Sequence, residues 1–507
     1  MPNFVERWRA EPLAPPPGAA AAPAPLEALT FWPSDVPLAA WLSRDAIAPP
    51  SNADADELAT WLGPWSFFAP SSPDAWIVGE PALGRLRDQI VAPVRADVPA
   101  TGRQTGVYRA AMIPPAPMFL VCAYTVGGHF EPRAASPTTS EPLRGVSLLS
   151  PPWLLAHRAG PSPSWWCLGP GAGAIEAARS AFARLCTPST DAATRFELSP
   201  LCPEPDRAHA QRRYINAVRA ALARIDAGDV YQVNLAHRLT ASLSGSPRAL
   251  ARAWFAAATP RYPAYADLPD RTLISASPEL FLHIDATTAR ARTRPMKGTR
   301  PRSRAEDAAS AELRASEKEN AELNMIVDLM RNDLGRLSIP GSVVVERPRD
   351  IEAHGSAHAG GVLQATATVA STLEPGTSLE RVLASTFPPG SVTGAPKISA
   401  MRIIAELETA SREQYCGCMG LLLPDGSATL SVAIRTAILP SEPAAAVAGP
   451  RVLHYSVGAG IVADSEPHTE WAETLVKAAT LRSLSGGADE LAEPSTLTPK
   501  KPSAAHA

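Results

Sequence analysis

An α+β fold is what this sequence predicts, and three observations carry it. From Asp206 onward, strand-like and helix-like segments are interleaved without the strict β-α-β alternation of a parallel sheet. Before that point, short apolar runs such as Met118–Tyr124 alternate with Pro/Gly-rich turns, which predicts strands and long loops over residues 28–190. Of the 507 residues 45% are hydrophobic, enough to bury a large core in two ordinary domains or one intertwined body.

In chain order, residues 1–27 read as a tail, because the stretch from Pro12 to Pro25 is almost entirely Pro and Ala. Residues 28–205 form an N-terminal region and 206–484 the half that carries chemistry, followed by a low-complexity tail over 485–507. In the second half, apolar spacing predicts a helix over Arg212–Ile225, and alternating β-branched residues predict a strand over Val230–Leu239. Further strands are expected at Thr272–Ser275, Leu280–Ile284, Gly420–Leu423, Thr429–Ile438 and Arg451–Val457. Helices are expected at Ser316–Met330, Ser378–Ser385, Lys397–Leu407 and Glu470–Leu484.

Composition excludes several function classes. With 47 basic against 50 acidic residues and no Lys/Arg run, nothing tracks a phosphate backbone, so nucleic acid is not an expected partner. No 18-residue apolar run or secretory h-region occurs, so membrane insertion and export are not expected either. Six scattered cysteines make neither a disulfide framework nor a zinc ribbon, and a cytoplasmic protein in a reducing compartment is expected.

Two glutamate pairs, Glu319/Glu322 and Glu470/Glu473, sit three apart on predicted helices, so each pair projects from one helical face. Glu322 shares its face with Ile326 and Leu329, which is the apolar stripe, and a carboxylate buried alone is costly. Glu470, Glu473 and Lys477 form a second stripe, which an ordinary salt-bridged surface also explains. Around these lie dense segments: Gly228–Leu235 (GDVYQVNL), Ser277–Glu279 (SPE), Arg294–Thr299 (RPMKGT), Met325–Asp333 (MIVDLMRND), Phe387–Lys397 (FPPGSVTGAPK), Ile434–Thr436 (IRT) and Gly460–Ser465 (GIVADS).

In this order the segments resemble the chorismate-utilising family, which includes anthranilate synthase component I, isochorismate and salicylate synthases, and aminodeoxychorismate synthase component I. The resemblance covers about residues 206–484, with a faint echo upstream in Tyr124–Glu131 (YTVGGHFE). It implies large, intertwined, layered antiparallel sheets flanked by helices. It also implies a Mg²⁺ cofactor, with Glu322 and Glu473 matching direct ligands and Glu319 and Glu470 matching water-bridged ones. Arg435 and Tyr415 match the groups that hold the pyruvyl carboxylate. Lys477, Ser391, Gly394 and Gly460 match further anion contacts.

Two positions bear on the reaction. The water-activating members resemble one another in carrying Lys where this chain has Gln232, which disfavours isochorismate and salicylate synthesis. Lys297 stands where anthranilate synthases carry Ala and aminodeoxychorismate synthases carry Lys, so the chain looks most like the latter subfamily. The implied activity is amination of chorismate to 4-amino-4-deoxychorismate, on the para-aminobenzoate and folate route, with Lys297 as nucleophile. A neutral amine is required, and desolvation or a cationic neighbour such as Arg294 can supply one. No glutaminase elbow is evident, so ammonia is expected from a separate glutamine amidotransferase subunit. The alternatives are an anthranilate synthase or 2-amino-2-deoxyisochorismate synthase component, and a non-catalytic chorismate-binding subunit. The last is suggested by departures: Gln364 where the family has His, with His354 and His358 as substitutes nearby, Thr429 where it has Asp, and Leu421 where it has Tyr.

Overall fold

The computed structural model describes residues 8–17, 21–47, 65–89, 91, 117–134, 145–160, 162–187, 195–203, 206–302, 306–354, 361–441 and 449–486. Within these, two sheets organise the chain, one of thirteen strands and one of ten, and every strand pairing is antiparallel. With helices packed around them, this is the layered, intertwined α+β architecture that the sequence leads one to expect.

Both sheets draw on both halves of the chain. In the larger, Leu38–Trp41 pairs with Tyr262–Leu268, and in the smaller, Met118–Cys122 pairs with Cys418–Leu422. One continuous cluster of buried side chains accordingly runs from Leu83 and Leu120 to Ile326, Ile404 and Trp471. Two further clusters also mix residues of both halves, so separating the halves would strip apolar faces from both sheets.

Several expected boundaries shift. The N-terminal stretch read as a tail contains a strand, Arg9–Leu13, paired with Ser164–Gly169 at the sheet edge, where Pro12 removes no needed ladder bond. A helix, Pro25–Phe31, also begins there. Residues 28–190 hold helices besides strands, the longest being Ala172–Leu185, whose buried stripe of Ile175, Ala178, Ala181, Phe182 and Leu185 is partly alanine and so weakly apolar. The strand expected over Thr429–Ile438 is two: Ala428–Val432 belongs to the smaller sheet and Thr436–Pro440 to the larger. The helix expected over Glu470–Leu484 is likewise two, Pro467–Lys477 and Ala479–Arg482. Residues 487–507 of the C-terminal tail, and His358, lie outside the described residues.

Candidate active site

The chain's crossing between the two sheets creates the site. At 433–435 it leaves one sheet for the other, and Arg435 adopts a left-handed φ of 49°, a conformation that costs a non-glycine residue energy and is found where side-chain aim matters. Arg435 thereby faces a cavity of about 180 Å³. Ten of the twelve residues singled out from sequence line it: Lys297, Glu319, Glu322, Ser391, Tyr415, Arg435, Gly460, Glu470, Glu473 and Lys477.

Two helices present the carboxylates. Ser316 caps the first, Glu317–Gly335, by accepting from the Glu319 amide at 3.3 Å, and the fully buried Ile326 anchors its apolar face. Glu466 caps the second, Pro467–Lys477, through the Thr469 amide at 2.7 Å, and the buried Trp471 anchors it. Glu319 lies 3.3 Å from the Arg300 guanidinium, Glu470 accepts from Ser465 Oγ at 2.6 Å, and Glu473 pairs with Lys477 at 2.8 Å. The salt-bridged stripe foreseen on the second helix therefore exists, and it faces the cavity.

No three acidic, His or Cys side chains close to metal-binding distance among the described residues. The donor chemistry nevertheless fits a hard cation: four carboxylates from two helices line one cavity. Mg²⁺ keeps several waters and takes one or two protein carboxylates directly, so the set does not need to close into a cage.

Lys297 lines the same cavity and is partly buried. Burial is the largest influence on its amine and pushes the pKa down, while Glu322 opposes and Lys477 reinforces the shift. Arg294, the cationic neighbour expected from sequence, is instead engaged by Glu352 and Asp350, so Lys477 takes that part. A methyl group on Gly460 would lie 2.9 Å from Lys297 Nζ and 3.1 Å from Gln232 Nε2, so glycine is what leaves both side chains room.

Gln232 and Gly394 do not line the cavity. Gln232 is wholly buried behind Gly460, and Gly394 has a φ of 138° with a would-be Cβ only 2.2 Å from the Gln232 carbonyl oxygen. Both act on the site through the strand Gln232–Gly245, not by reaching the cavity themselves.

Arg435 carries the clearest binding signal. Its guanidinium is partly buried, and desolvation, opposed by Tyr455 and Glu279, holds its pKa below the ordinary arginine value. Its hydrogen bond is a long one, 3.5 Å, to Gln364 Oε1. A partly desolvated guanidinium lining a cavity suits an incoming carboxylate, and the buried phenol of Tyr415 lines the same cavity.

Some cavity residues were not assigned a role from sequence. Glu279 is buried, accepts from Ser391 Oγ at 2.5 Å and has its pKa pushed up to about 7, chiefly by burial and against the pull of Ser391 and Lys297. Its segment (SPE) was legible, but its burial was not. A carboxyl near neutrality can hand a proton to a departing hydroxyl. Since the protonated form is the donor, turnover should fall as pH rises through about 7, and Glu279→Gln should lose that alkaline limb together with most activity; a Gln variant with the wild-type pH profile excludes the role. Asn234, Arg300 and Tyr455 also line the cavity.

Gln364 lines the cavity at the position where the family's histidine was expected, on a strand, Val362–Thr372, that pairs with Val344–His354 through two register shifts. His354 is buried beside Glu352 at 3.6 Å and does not reach the cavity, so it is no substitute. Thr429 bonds His283 at 3.0 Å within the sheet and lies outside the cavity, so its departure from Asp does not touch the site.

One cavity thus brings together a guanidinium, clustered carboxylates and a lysine amine, a set of groups suited to a small anion and a hard cation. Residues 90–483 match the family described as chorismate binding enzyme, and the chain belongs to that family. It is 41% identical over 271 residues to "Anthranilate synthase component 1" of Thermus thermophilus, covering 53% of this chain and 55% of that protein. To "Aminodeoxychorismate synthase component 1" of Salmonella typhimurium it is 38% identical over 268 residues, covering 52% and 55%. The matches thus span about half the length of these relatives. The solved anthranilate synthase component I of Streptococcus pneumoniae TIGR4 superposes with a TM-score of 0.66 at 25% identity, covering 83% of this chain and 92% of that one. No helix among the described residues is long and apolar enough to cross a membrane.

Proposed function

We propose that this chain converts chorismate and ammonia to 4-amino-4-deoxychorismate, as the synthase component of an aminodeoxychorismate synthase. The reading rests on one observation above the rest: an amine, Lys297, lines the cavity with the carboxylates, partly buried and with its pKa lowered by desolvation. Glu322 and Glu473 would hold Mg²⁺, with Glu319 and Glu470 bridged through water. When bound, the ion draws electron density from the ring through its carboxylate and eases loss of the C4 hydroxyl.

The chain's own groups account for the rest. Arg435 and the Tyr415 phenol receive the pyruvyl carboxylate. Neutral Lys297 bonds ring C2 as the C4–O bond breaks, and Glu279 passes its proton to the leaving hydroxyl, which departs as water. Ammonia then bonds C4, the C2–N bond breaks, and the lysine amine is released. Desolvation of Lys297 in the cavity favours the uncharged amine.

The rival reading, a 2-amino product as in an anthranilate synthase component, is favoured by the comparable identity to proteins of that name. Incubating the chain with chorismate, Mg²⁺ and ammonium, and separating the isomers before mass spectrometry, decides between them: a 2-amino product or anthranilate overturns the proposal. We further expect the chain alone to use ammonium salts but not glutamine, because a glutamine amidotransferase is a separate subunit in this reading. Glutamine-dependent turnover by the purified chain, with contaminating glutaminase excluded, rules that out.

A further inference from the structure

One buried ion pair, Arg412 with Glu408, lies outside the cavity. Their side chains are 3% and 6% exposed and meet at 2.7 Å. A buried pair adds little stability over apolar side chains of the same volume, so the informative part is what it bonds besides itself. Arg412 also donates to the carbonyl oxygens of Val392 at 2.9 Å and Asn234 at 2.8 Å, and Glu408 accepts from the Ala236 amide at 2.8 Å.

The sheet explains why side chains are needed there. One edge of the strand Gln232–Gly245 is covered by Arg451–Ile461, but on the other the short strand Gly394–Ala395 reaches only Gln232 and Val233. Just past that point stand the Asn234 carbonyl and the Ala236 amide, and a buried backbone group without a partner is costly. Arg412 and Glu408 take the place of the missing strand. Through Val392 the same guanidinium holds the turn Gly390–Val392, whose Ser391 hydroxyl donates to Glu279 at 2.5 Å. Asn234, Ser391, Val392 and Glu279 all line the cavity. The ring of Tyr124, from the N-terminal half, packs against the guanidinium at 4.5 Å.

We propose that Arg412 is a positioning residue for proton donation: it clamps the turn Gly390–Val392 to the strand Gln232–Gly245 and so keeps the Ser391 hydroxyl on Glu279. The inference rests on the reading of Glu279 as the proton donor to the leaving hydroxyl. A guanidinium suits the task because its planar fork reaches two carbonyls and a carboxylate in fixed directions. Lysine has the charge but not the fork. An O–H bond donated to the Glu279 carboxylate favours its charged form, so a Ser391 that drifts away leaves Glu279 protonated to higher pH. Lys297, Lys477, Arg435 and Cys416 also face Glu279 and the Met296 amide bonds it, and all are retained in the variants below.

The test uses the full chain with Mg²⁺ and ammonium and follows chorismate consumption against pH, which reads alike for either amino isomer. Arg412→Lys keeps a charge opposite Glu408 and loses the fork. It should move the alkaline limb up by about one pH unit, the scale of one hydrogen bond to a carboxylate. It should also lower kcat about tenfold while the chorismate KM stays within about threefold. Ser391→Ala should move the limb by the same amount, and adding Arg412→Lys to it should move the limb no further. Should Arg412→Lys fail to fold by circular dichroism, Glu408→Gln, which loosens the guanidinium from its anchor, is read in the same way. The Glu279 carboxyl band, identified by its loss in Glu279→Gln, gives the midpoint by infrared difference spectroscopy without turnover, which keeps the result separate from the amination reading. A limb that Ser391→Ala moves and Arg412→Lys does not, or additive shifts in the double variant, overturns the clamp. A limb that neither Ser391→Ala nor Glu279→Gln alters overturns the proton-donor reading and the clamp together.

Discussion

Replacing Lys297 by Ala is expected to lower the rate of 4-amino product formation on the order of 10²-fold or more, since about 1.4 kcal/mol of barrier is tenfold and the covalent route divides one hard displacement into two easier ones. Arg435, Tyr415 and the carboxylates stay in place, so chorismate binding should change far less than the rate. The residual reaction should move toward ammonia attacking C2 directly, giving the 2-amino isomer, because the amine no longer occupies that side. Removing the side chain also opens space above Gly460, where Lys297 Nζ now sits. Chromatographic separation of the isomers is therefore the informative measurement. An unchanged rate with unchanged 4-amino product would falsify the nucleophile assignment.

The second large effect is expected for Glu322→Gln, which removes one negative donor from a set of four and should reduce Mg²⁺-dependent turnover on the order of 10²-fold or more, because a Lewis-acid step supplies several kcal/mol of barrier lowering. The helix is held by Ile326 on the same face and capped by Ser316, so the fold should persist. A binding readout keeps the test independent of activity. Mg²⁺ should raise the melting temperature of the wild-type chain in a concentration-dependent way, and the variant should lose that rise, as mass action requires of a ligand that binds only the folded state. Wild-type activity and thermal response across a Mg²⁺ titration in Glu322→Gln would remove Glu322 from the metal site. One side effect is foreseeable. Glu322 opposes the lowering of the Lys297 pKa, so its neutralisation should leave the lysine amine still more readily uncharged.

Much of the second half was legible because its signals are local. The helix Lys397–Leu407 was predicted to the residue, and the strands Arg271–Ser277 and Leu280–Asp285 to within two residues at each end. Apolar spacing and β-branched alternation reflect how a residue sits on its own element, which neighbours in sequence decide. The N-terminal half was less legible. Its strand Arg9–Leu13 is Pro-bearing and takes its place from Ser164–Gly169, more than 150 residues away, and the long helix Ala172–Leu185 buries alanines that carry little apolar signal.

By itself the sequence determined the chemistry available: which carboxylates share a helical face, that an amine stands at position 297 and a guanidinium at 435, and that glycines recur where groups must approach closely. Only the tertiary structure decided how those groups are used. Helix periodicity put Glu319, Glu322, Glu470 and Glu473 on faces, but two helices had to meet across one cavity before the faces could converge. The left-handed turn at Arg435 exists because the chain changes sheets there, which an uninterrupted β-branched pattern from Thr429 to Ile438 conceals. The neighbour that helps discharge Lys297 is Lys477, 180 residues further on, and not Arg294 three residues before it. The raised pKa of Glu279 and the unpartnered Gln232 amide arise from burial, and burial is a property of packing between distant segments. Residue type sets what a group can do; desolvation, which only the assembled fold imposes, sets what it does.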